Sequence, residues 1–405
     1  MDVLFLVPYV PNRIRVRPYH LLHGLAASGH RVTLVTAWAT EAERLELEAL
    51  KARCARVCSV HLPRGRSWGN CLAALPSRVP LQAAYSWHPE LARQAEQLAH
   101  KTDVIHVEHL RGSAYALWLR DHLARSGGSV PIVWDSVDCI SLLFRQSIRH
   151  APWAARNVLL RLELARTRRF EGHLAYAFAR TLATSSNDAQ ELTRLAGGSF
   201  KGLPVSVLPN GVDLEYFRPV DESLRQSATV VMTGKMSYHA NVAMAAGFVR
   251  DVLPAVLARV PDARVLVVGK DPPEAVRALG RHPAVTVAGT VPDVRPYLQQ
   301  ATLAVAPVAY AVGVQNKVLE AMACATPVVA YPQAVSALEV VDGREVVVAD
   351  GPLAMADSIV ELIGDRGRRT AVGLAGRKYV ESHHDWSDII TRLERIYHEV
   401  IRTGV

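Results

Sequence analysis

The sequence predicts two doubly wound parallel α/β domains, one after the other. The first observation is length: 405 residues leave room for two domains of ordinary size. The second is composition, with 50% hydrophobic and 21% charged residues, which gives enough apolar material for two cores and excludes a disordered chain. The third is rhythm, because short β-rich apolar runs alternate with longer helical patterns throughout, as parallel βα units require and sandwiches or bundles do not.

That rhythm runs twice. Strands are expected at Val3–Val7, Val32–Thr36, Val57–His61, Asp103–Glu108, Ile132–Asp135 and Thr181–Thr184, with helices between them, the first marked by Leu21, Leu22 and Leu25 at helical spacing. Asn210-Gly211 signals a turn. A second set follows, with strands at Thr229–Thr233, Arg264–Val268, Val285–Val287, Leu303–Ala306 and Val328–Ala330, and helices near Ala243–Leu257, Pro273–Leu279 and Val314–Cys324. The domains are expected at residues 1–204 and 205–384, with the helical period of Asp385–Ile401 forming a last helix, within residues 385–405, that packs across the domain junction. The chain shows neither a repeat of 20 to 50 residues nor a low-complexity tract.

Charge is uneven. The net charge of +8 divides into +10 over residues 1–211, where 26 Lys and Arg face 16 Asp and Glu, and −2 over the remainder. An anionic ligand, nucleic acid or membrane surface is therefore expected among the partners of the first half. The five cysteines, Cys54, Cys58, Cys71, Cys139 and Cys324, form no CxxC pair and no regular spacing, which argues against a disulfide framework or zinc site and fits a cytoplasmic protein. No run of about 18 apolar residues suggests a membrane span, and the apolar start Val3–Val10 follows an acidic Asp2, unlike a signal peptide.

In parallel sheets ligands bind beyond the carboxyl ends of the strands, so the loops after strands are where chemistry is sought. Val312-Gly-Val-Gln-Asn-Lys-Val-Leu-Glu-Ala-Met-Ala-Cys-Ala-Thr-Pro327 is a loop that opens a helix. Gly313 lets backbone approach a ligand, and the free N–H groups of a first helical turn favour phosphate. Lys317 and Glu320, three apart, share one face. They suit a pyrophosphate and a ribose, or equally a surface ion pair on an ordinary helix.

Here the sequence resembles a family. Lys317-Val-Leu-Glu-Ala-Met-Ala323 with Thr326-Pro-Val-Val-Ala330 resembles the donor helix of retaining GT-B glycosyltransferases of family 4, specifically the exopolysaccharide-associated branch whose helix reads G-x-Q-N-K-x-L-E. Further landmarks occur in order: Leu208-Pro-Asn-Gly-Val-Asp-Leu-Glu-Tyr-Phe-Arg-Pro219 resembles the interdomain entry, Thr233-Gly-Lys-Met236 the first phosphate loop, Val267-Val-Gly269 the next strand end, and Val287-Ala-Gly-Thr-Val-Pro-Asp-Val-Arg-Pro-Tyr297 the base-binding turn.

The resemblance implies a nucleoside-diphosphate sugar, UDP- or GDP-linked, held by the second domain, and a glycan, lipid-linked or small-molecule acceptor held by the first. It implies transfer with retention and without a metal or other cofactor. On the donor side it implicates Gly234, Lys235, Gly269, Thr290, Val291, Gly313, Val314, Gln315, Asn316, Lys317 and Glu320. Lys235 stands where the family usually carries Arg against the phosphates, and a fixed cation there stabilises the departing diphosphate. Two departures are visible: Ser237-Tyr-His-Ala-Asn241 lacks a second basic residue, and Val312 replaces the first glutamate of the family's E-x7-E pair. Ala325 also replaces a common helix-ending glycine, at little expected cost.

On the acceptor side, Asn12, Arg13, Arg15 and Arg17 follow the first strand and would stand at the cleft mouth, or form a solvated basic loop. Glu108 or His109 would hold a sugar hydroxyl, although a packed histidine is the simpler reading of this strand end. Asp138 lies about where relatives carry a His near the transferring sugar, with Asp135 as the alternative and a capping role open for either. The catalytic set is thus Asp138, Lys235 and Glu320, with no metal site. Arginines 156, 161, 166, 168, 169 and 180 in the helical stretch from Trp153 to Arg180 suit either a basic outer face or peripheral contact with an anionic membrane. No nucleic-acid-binding module accompanies the charge. A nucleotide-sugar epimerase and a non-catalytic sugar-nucleotide sensor remain alternatives on the same fold.

Overall fold

A computed structural model describes residues 1–150, 157–197, 205–310 and 312–403. The chain forms two compact units, residues 1–209 with 386–405, and residues 210–385. The first is built on a seven-stranded parallel sheet of β1 (Asp2–Val7), β2 (Arg31–Trp38), β3 (Arg56–His61), β4 (Val104–Glu108), β5 (Ile132–Val137), β6 (Arg180–Ala183) and β7 (Val205–Val207), in the order 3-2-1-4-5-6-7. The second carries β8 (Thr229–Thr233), β9 (Arg264–Val268), β10 (Val285–Gly289), β11 (Leu303–Ala306), β12 (Val328–Ala330) and β13 (Val347–Val348), in the order 10-9-8-11-12-13. Val3 through Val7 are all fully buried, as expected of a strand with helices over both faces. Each sheet reverses its winding beside its first strand, between β1 and β4 and between β8 and β11, which is where such sheets open a ligand crevice.

Two strands escape the sequence pattern, β7 and β13, because three and two residues are too few to show a period. Their pairing matters: β7 extends the first sheet from β6, so residues 205–209 belong to the first unit, and the boundary lies at residue 210 rather than 205. The stretch read as helical from Trp153 to Arg180 is also shorter. Trp153 and Arg156 lie outside the described residues, the helix runs Asn157–Leu174, and Arg180 opens β6.

The last helix, Trp386–Thr403, belongs to the first unit. Its apolar side, Trp386, Ile389, Ile390, Leu393 and Tyr397, joins the core formed by Leu21, Leu22 and Leu25 of the first helix, Val16–Ala27. Gly24 permits the approach, since a Cβ there would come within 2.4 Å of Ile390. Tyr397 then reaches through to His106 Nδ1 at 2.8 Å.

In the second unit one continuous helical run, His239–Leu257, is long and apolar enough to cross a membrane, yet its Met244, Phe248, Val252 and Val256 are core residues. Ala325 adopts φ 50° after the helix Asn316–Ala323, the left-handed conformation that glycine takes without penalty. Arg225 binds the Cys324 and Ala325 carbonyls and holds the turn in place. Relieving the Cβ strain should help, so Ala325→Gly is expected to stabilise this unit by about 1 kcal/mol. Chemical denaturation of the two proteins side by side would show it; an unchanged or lower midpoint would refute the strain argument.

Candidate active site

In the second unit the loops after β8 and β9 are pressed together by glycine. A Cβ on Gly269 would lie 1.6 Å from the Gly234 carbonyl oxygen, so no side chain fits there. The Gly269 N–H donates to the Gly289 carbonyl at 2.9 Å, and Met236 N–H to the Lys270 carbonyl at 2.9 Å, locking three strand ends side by side. Lys235, exposed, projects from this knot.

The helix Asn316–Ala323 starts beyond β11, after Gly313 at φ 61°. Gln315 at its N-cap makes no side-chain cap, which leaves first-turn amides for a ligand, as expected for a phosphate site. Gln315 instead turns its amide to the Val312 carbonyl at 3.2 Å, and Asn316 Oδ1 accepts from Asn210 Nδ2 at 3.3 Å. Val314 is buried in the core and offers only its backbone.

Lys317 does not make the surface ion pair with Glu320 that its spacing allowed. Its Nζ donates to Asn241 Oδ1 at 2.5 Å, while Asn241 Nδ2 donates to the Lys235 carbonyl at 2.9 Å. One asparagine thus ties the helix cation to the loop after β8, in the segment whose sequence showed only a missing second basic residue. The signal was slight, a single Asn at the start of an otherwise apolar helix. Burial pulls the Lys317 ammonium down to about 8, against the favourable charge of Glu320. Burial pushes the Glu320 carboxyl up to about 7, with Lys317 opposing.

The proposed base-binding turn is stiff. Asp293 accepts from Arg295 at 2.7 Å and from the Tyr216 hydroxyl at 3.2 Å, and the Arg295 guanidinium lies 3.9 Å from the Tyr216 ring centroid. Thr290 is exposed, its hydroxyl accepting from the Asp271 N–H at 3.2 Å, and Val291 is half-buried against the core.

In the first unit the arginine loop divides. Asn12 closes a turn on itself, accepting from Ile14 and Arg15 N–H at 3.0 and 2.9 Å, and donates to Glu46 at 2.8 Å. Arg13 is exposed. Arg15 bonds the Val10 carbonyl and Glu43, both at 2.9 Å, and lies over the Tyr9 ring. Arg17 does not stand at an open edge. It is 4% exposed, pairs with Asp135 at 2.7 Å and donates to the Leu208 and Pro209 carbonyls, so it ties β5 to the end of the sheet. A buried guanidinium demands such a partner, and Asp135, itself fully buried, is committed to it. The structure therefore corrects the reading of Arg17 as an acceptor ligand and of Asp135 as an alternative to Asp138.

Asp138 follows a bulge. The pairing of β5 with β6 skips at Ser136, and Val137 takes φ 64°, a strained conformation for a β-branched residue. The bulge turns Asp138, half-buried, to the strand end, where Thr184 donates to its carboxylate at 3.2 Å. Burial, reinforced by Asp188, raises its carboxyl to about 7. The turn that carries it is pinned from behind: Asp188 accepts the Cys139 N–H at 2.9 Å, and Glu171 accepts those of Ile140 and Ser141 at 2.7 and 3.1 Å.

Glu108 and His109 end β4. His109 also has positive φ, 66°, and its Nδ1 accepts from the Arg111 N–H, while burial holds the ring neutral with its pKa down near 3. Glu108 accepts from the Tyr9 hydroxyl at 3.0 Å, and burial, with Asp135 adding to it, raises its carboxyl to about 8. A proton held more tightly folded than unfolded stabilises the fold at low pH, and this contribution fades as pH rises through 8. The melting temperature should therefore fall between about pH 5 and 8, and Glu108→Gln, which mimics the protonated form, should flatten that slope. Parallel slopes in thermal melts would show that Glu108 does not carry it.

Comparison with known proteins fits this arrangement. Residues 15–216 match the model for Glycosyltransferase Family 4 and residues 227–365 the model for Glycosyl transferases group 1. The structure is similar to that of HepE from Anabaena, solved in complex with UDP and glucose, with a TM-score of 0.66 at 14% identity over 98% of this chain and 100% of that one. It is similar to sucrose-phosphate synthase from Thermosynechococcus elongatus, with a TM-score of 0.67 at 15% identity and 99% coverage of both chains. A glycosyltransferase from Rickettsia africae gives 0.63 at 13% identity, covering 99% of this chain and 98% of that one. The sequence finds no match among curated proteins. The two family models between them take in most of the chain and every strand but β1, and the chain belongs to glycosyltransferase family 4, with the GT-B fold.

Proposed function

We propose that this glycosyltransferase transfers a sugar from a nucleoside-diphosphate donor to an acceptor hydroxyl with retention of configuration. The observation that carries the reading is the link from Lys317 through Asn241 to the Lys235 carbonyl, which joins two cations and an uncapped helix start beside glycine-lined strand ends. Such a set receives a diphosphate. Lys235, Lys317 and the Gly313 amide meet its charge, so the departing group is stabilised by fixed dipoles and cations without recourse to a metal. Glu320 accepts from the ribose, and the backbone of Thr290 and Val291 faces the base. UDP is the preferred base carrier, on the ground that HepE was solved with UDP.

The acceptor is a glycan, a lipid-linked sugar or a small molecule, met by Arg13, Arg15, Glu108, His109 and Asp138 of the first unit. The protein works in the cytoplasm, in polysaccharide or glycolipid synthesis, with peripheral contact at the inner face of the membrane. A panel of UDP- and GDP-sugars read by thermal shift tests the donor, since a ligand at a hundredfold excess over Kd adds roughly 2.7 kcal/mol. Mass spectrometry of products with candidate acceptors tests transfer. Donor binding without any product would leave a binding protein, and sugar isomerisation on the donor alone would make it an epimerase.

The donor site should also show a pH window. Glu320 accepts a ribose hydroxyl best when ionised, above about 7, and Lys317 meets phosphate only when protonated, below about 8. UDP affinity is expected to peak between these values and to weaken on both sides, and Glu320→Gln should remove the acid limb. Calorimetry across pH would show a flat profile if these two groups are not in the site.

A further inference from the structure

The first unit carries an exposed apolar stripe that none of the proposed site residues uses. The helix Arg64–Ala74 turns Trp68 and Leu72 outward, 65% and 66% exposed, and Leu75 continues the line one turn on. The spacing i, i+4, i+7 places all three on one side. Ser67, Cys71 and Ala74, on the other side, are buried, so this helix is held to the unit by its small residues and shows its large ones to solvent.

The helix Asn157–Leu174 lies next to it. Arg166 donates to the Leu75 carbonyl and Glu163 accepts from the Leu81 N–H, joining the two segments. It too faces its large apolar residues outward at its start, with Val158, Leu159 and Leu162 all more than half exposed. Scattered exposed leucines are ordinary, but six large apolar side chains exposed on two segments joined by these bonds ask for a partner.

Charge identifies the kind. Residues 49–89 hold six Lys and Arg and no Asp or Glu. Arg64, Arg66 and Arg78 are exposed around the first helix, and Arg161, Arg168 and Arg169 along the second. A second copy of this chain would bring like charges together across the interface. Nucleic acid would meet the arginines but give no apolar phase to leucine and valine. An anionic lipid surface satisfies both, with headgroup phosphates for the arginines and the acyl boundary for Trp68 and the aliphatic residues.

We propose that the outer faces of the helices Arg64–Ala74 and Asn157–Leu174 dock this protein on an anionic bilayer, with Trp68 and Leu72 as the inserted residues. This gives a named surface to the peripheral contact put forward above, and lipid binding is measured without donor, so its failure leaves the transferase reading intact.

The test is sedimentation of the full chain with vesicles of phosphatidylcholine alone or mixed with phosphatidylglycerol. Binding to the mixed vesicles should exceed that to the neutral ones and fall with salt. Trp68→Glu with Leu72→Glu should lower the partition coefficient at least tenfold while leaving the melting temperature and the UDP-induced thermal shift unchanged. Equal sedimentation of the double variant, or equal binding to both vesicle types, overturns the proposal. Light scattering that shows a dimer of the native protein, lost in the double variant, would overturn it in favour of a second copy as the occupant.

Discussion

Replacing Gly269 with alanine should abolish donor binding and cost the second unit more than about 4 kcal/mol, among the larger effects a single substitution produces. The reason is geometric. The added carbon would lie 1.6 Å from the Gly234 carbonyl oxygen, a backbone atom that cannot swing aside as a side chain would. Gly234 itself is tied by its N–H to the Val268 carbonyl, so relief means parting the ends of β8 and β9. Those ends carry Gly234, Lys235 and Gly269 of the proposed donor site. Denaturant unfolding and a UDP thermal-shift titration measure the two losses together. Gly65→Ala, at a position with nothing within 4 Å, serves as the control and should match the native protein. Native-like stability and UDP binding in Gly269→Ala would show that the two loops have room to separate.

The second large effect is expected from Lys317→Ala and Lys235→Ala. Each removes a cation from the departing diphosphate, and loss of one such stabilising group typically costs roughly 100- to 1,000-fold in rate. The two should differ in their accompaniments. Lys235 is exposed, so its removal should leave stability unchanged while lowering kcat/KM and UDP affinity. Lys317 also holds Asn241, whose side chain supports the Lys235 carbonyl, so its loss should disturb the neighbouring loop and add a loss of stability. Lys317→Arg should restore little, because a broad planar guanidinium does not replace a compact ammonium in the half-buried space beside Asn241. Initial rates with a competent donor and acceptor, alongside calorimetry with UDP, separate these outcomes. Unchanged kcat/KM in both variants, with the fold intact, would remove the diphosphate from this place.

The elements that frame the candidate donor site were legible because they are local. The strand Thr229–Thr233 with its Gly234-Lys235 turn, and the helix beginning at Asn316, are each one continuous stretch of sequence, and their residue types are those that backbone at a phosphate site would need. Asn241 was missed because its meaning comes from two partners, one six residues away and the other 76. The acceptor side was legible in position only. Arg13, Arg15 and Arg17 are alike in sequence, and only the fold shows that the third is consumed by Asp135, 118 residues distant. The positive φ of Val137 runs against the preference of a β-branched residue, so no propensity argument could have found it. The outward-facing Trp68 and Leu72 look in sequence like the core face of an ordinary amphipathic helix; what distinguishes them is which side the unit covers.

The position of the last helix bears on how the chain is made. Residues 210–385 form the second unit from one uninterrupted segment, so every contact it needs exists once Asp385 has left the ribosome. The first unit begins earlier and finishes later. Until Trp386–Thr403 emerges, Leu21, Leu22 and Leu25 lack their cover, Gly24 faces nothing, and His106 has no Tyr397 hydroxyl beside it. During synthesis the half that begins first is therefore the half that closes last, and a nascent chain passes through a stage in which the second unit is whole while the first still waits for its final eighteen-residue helix.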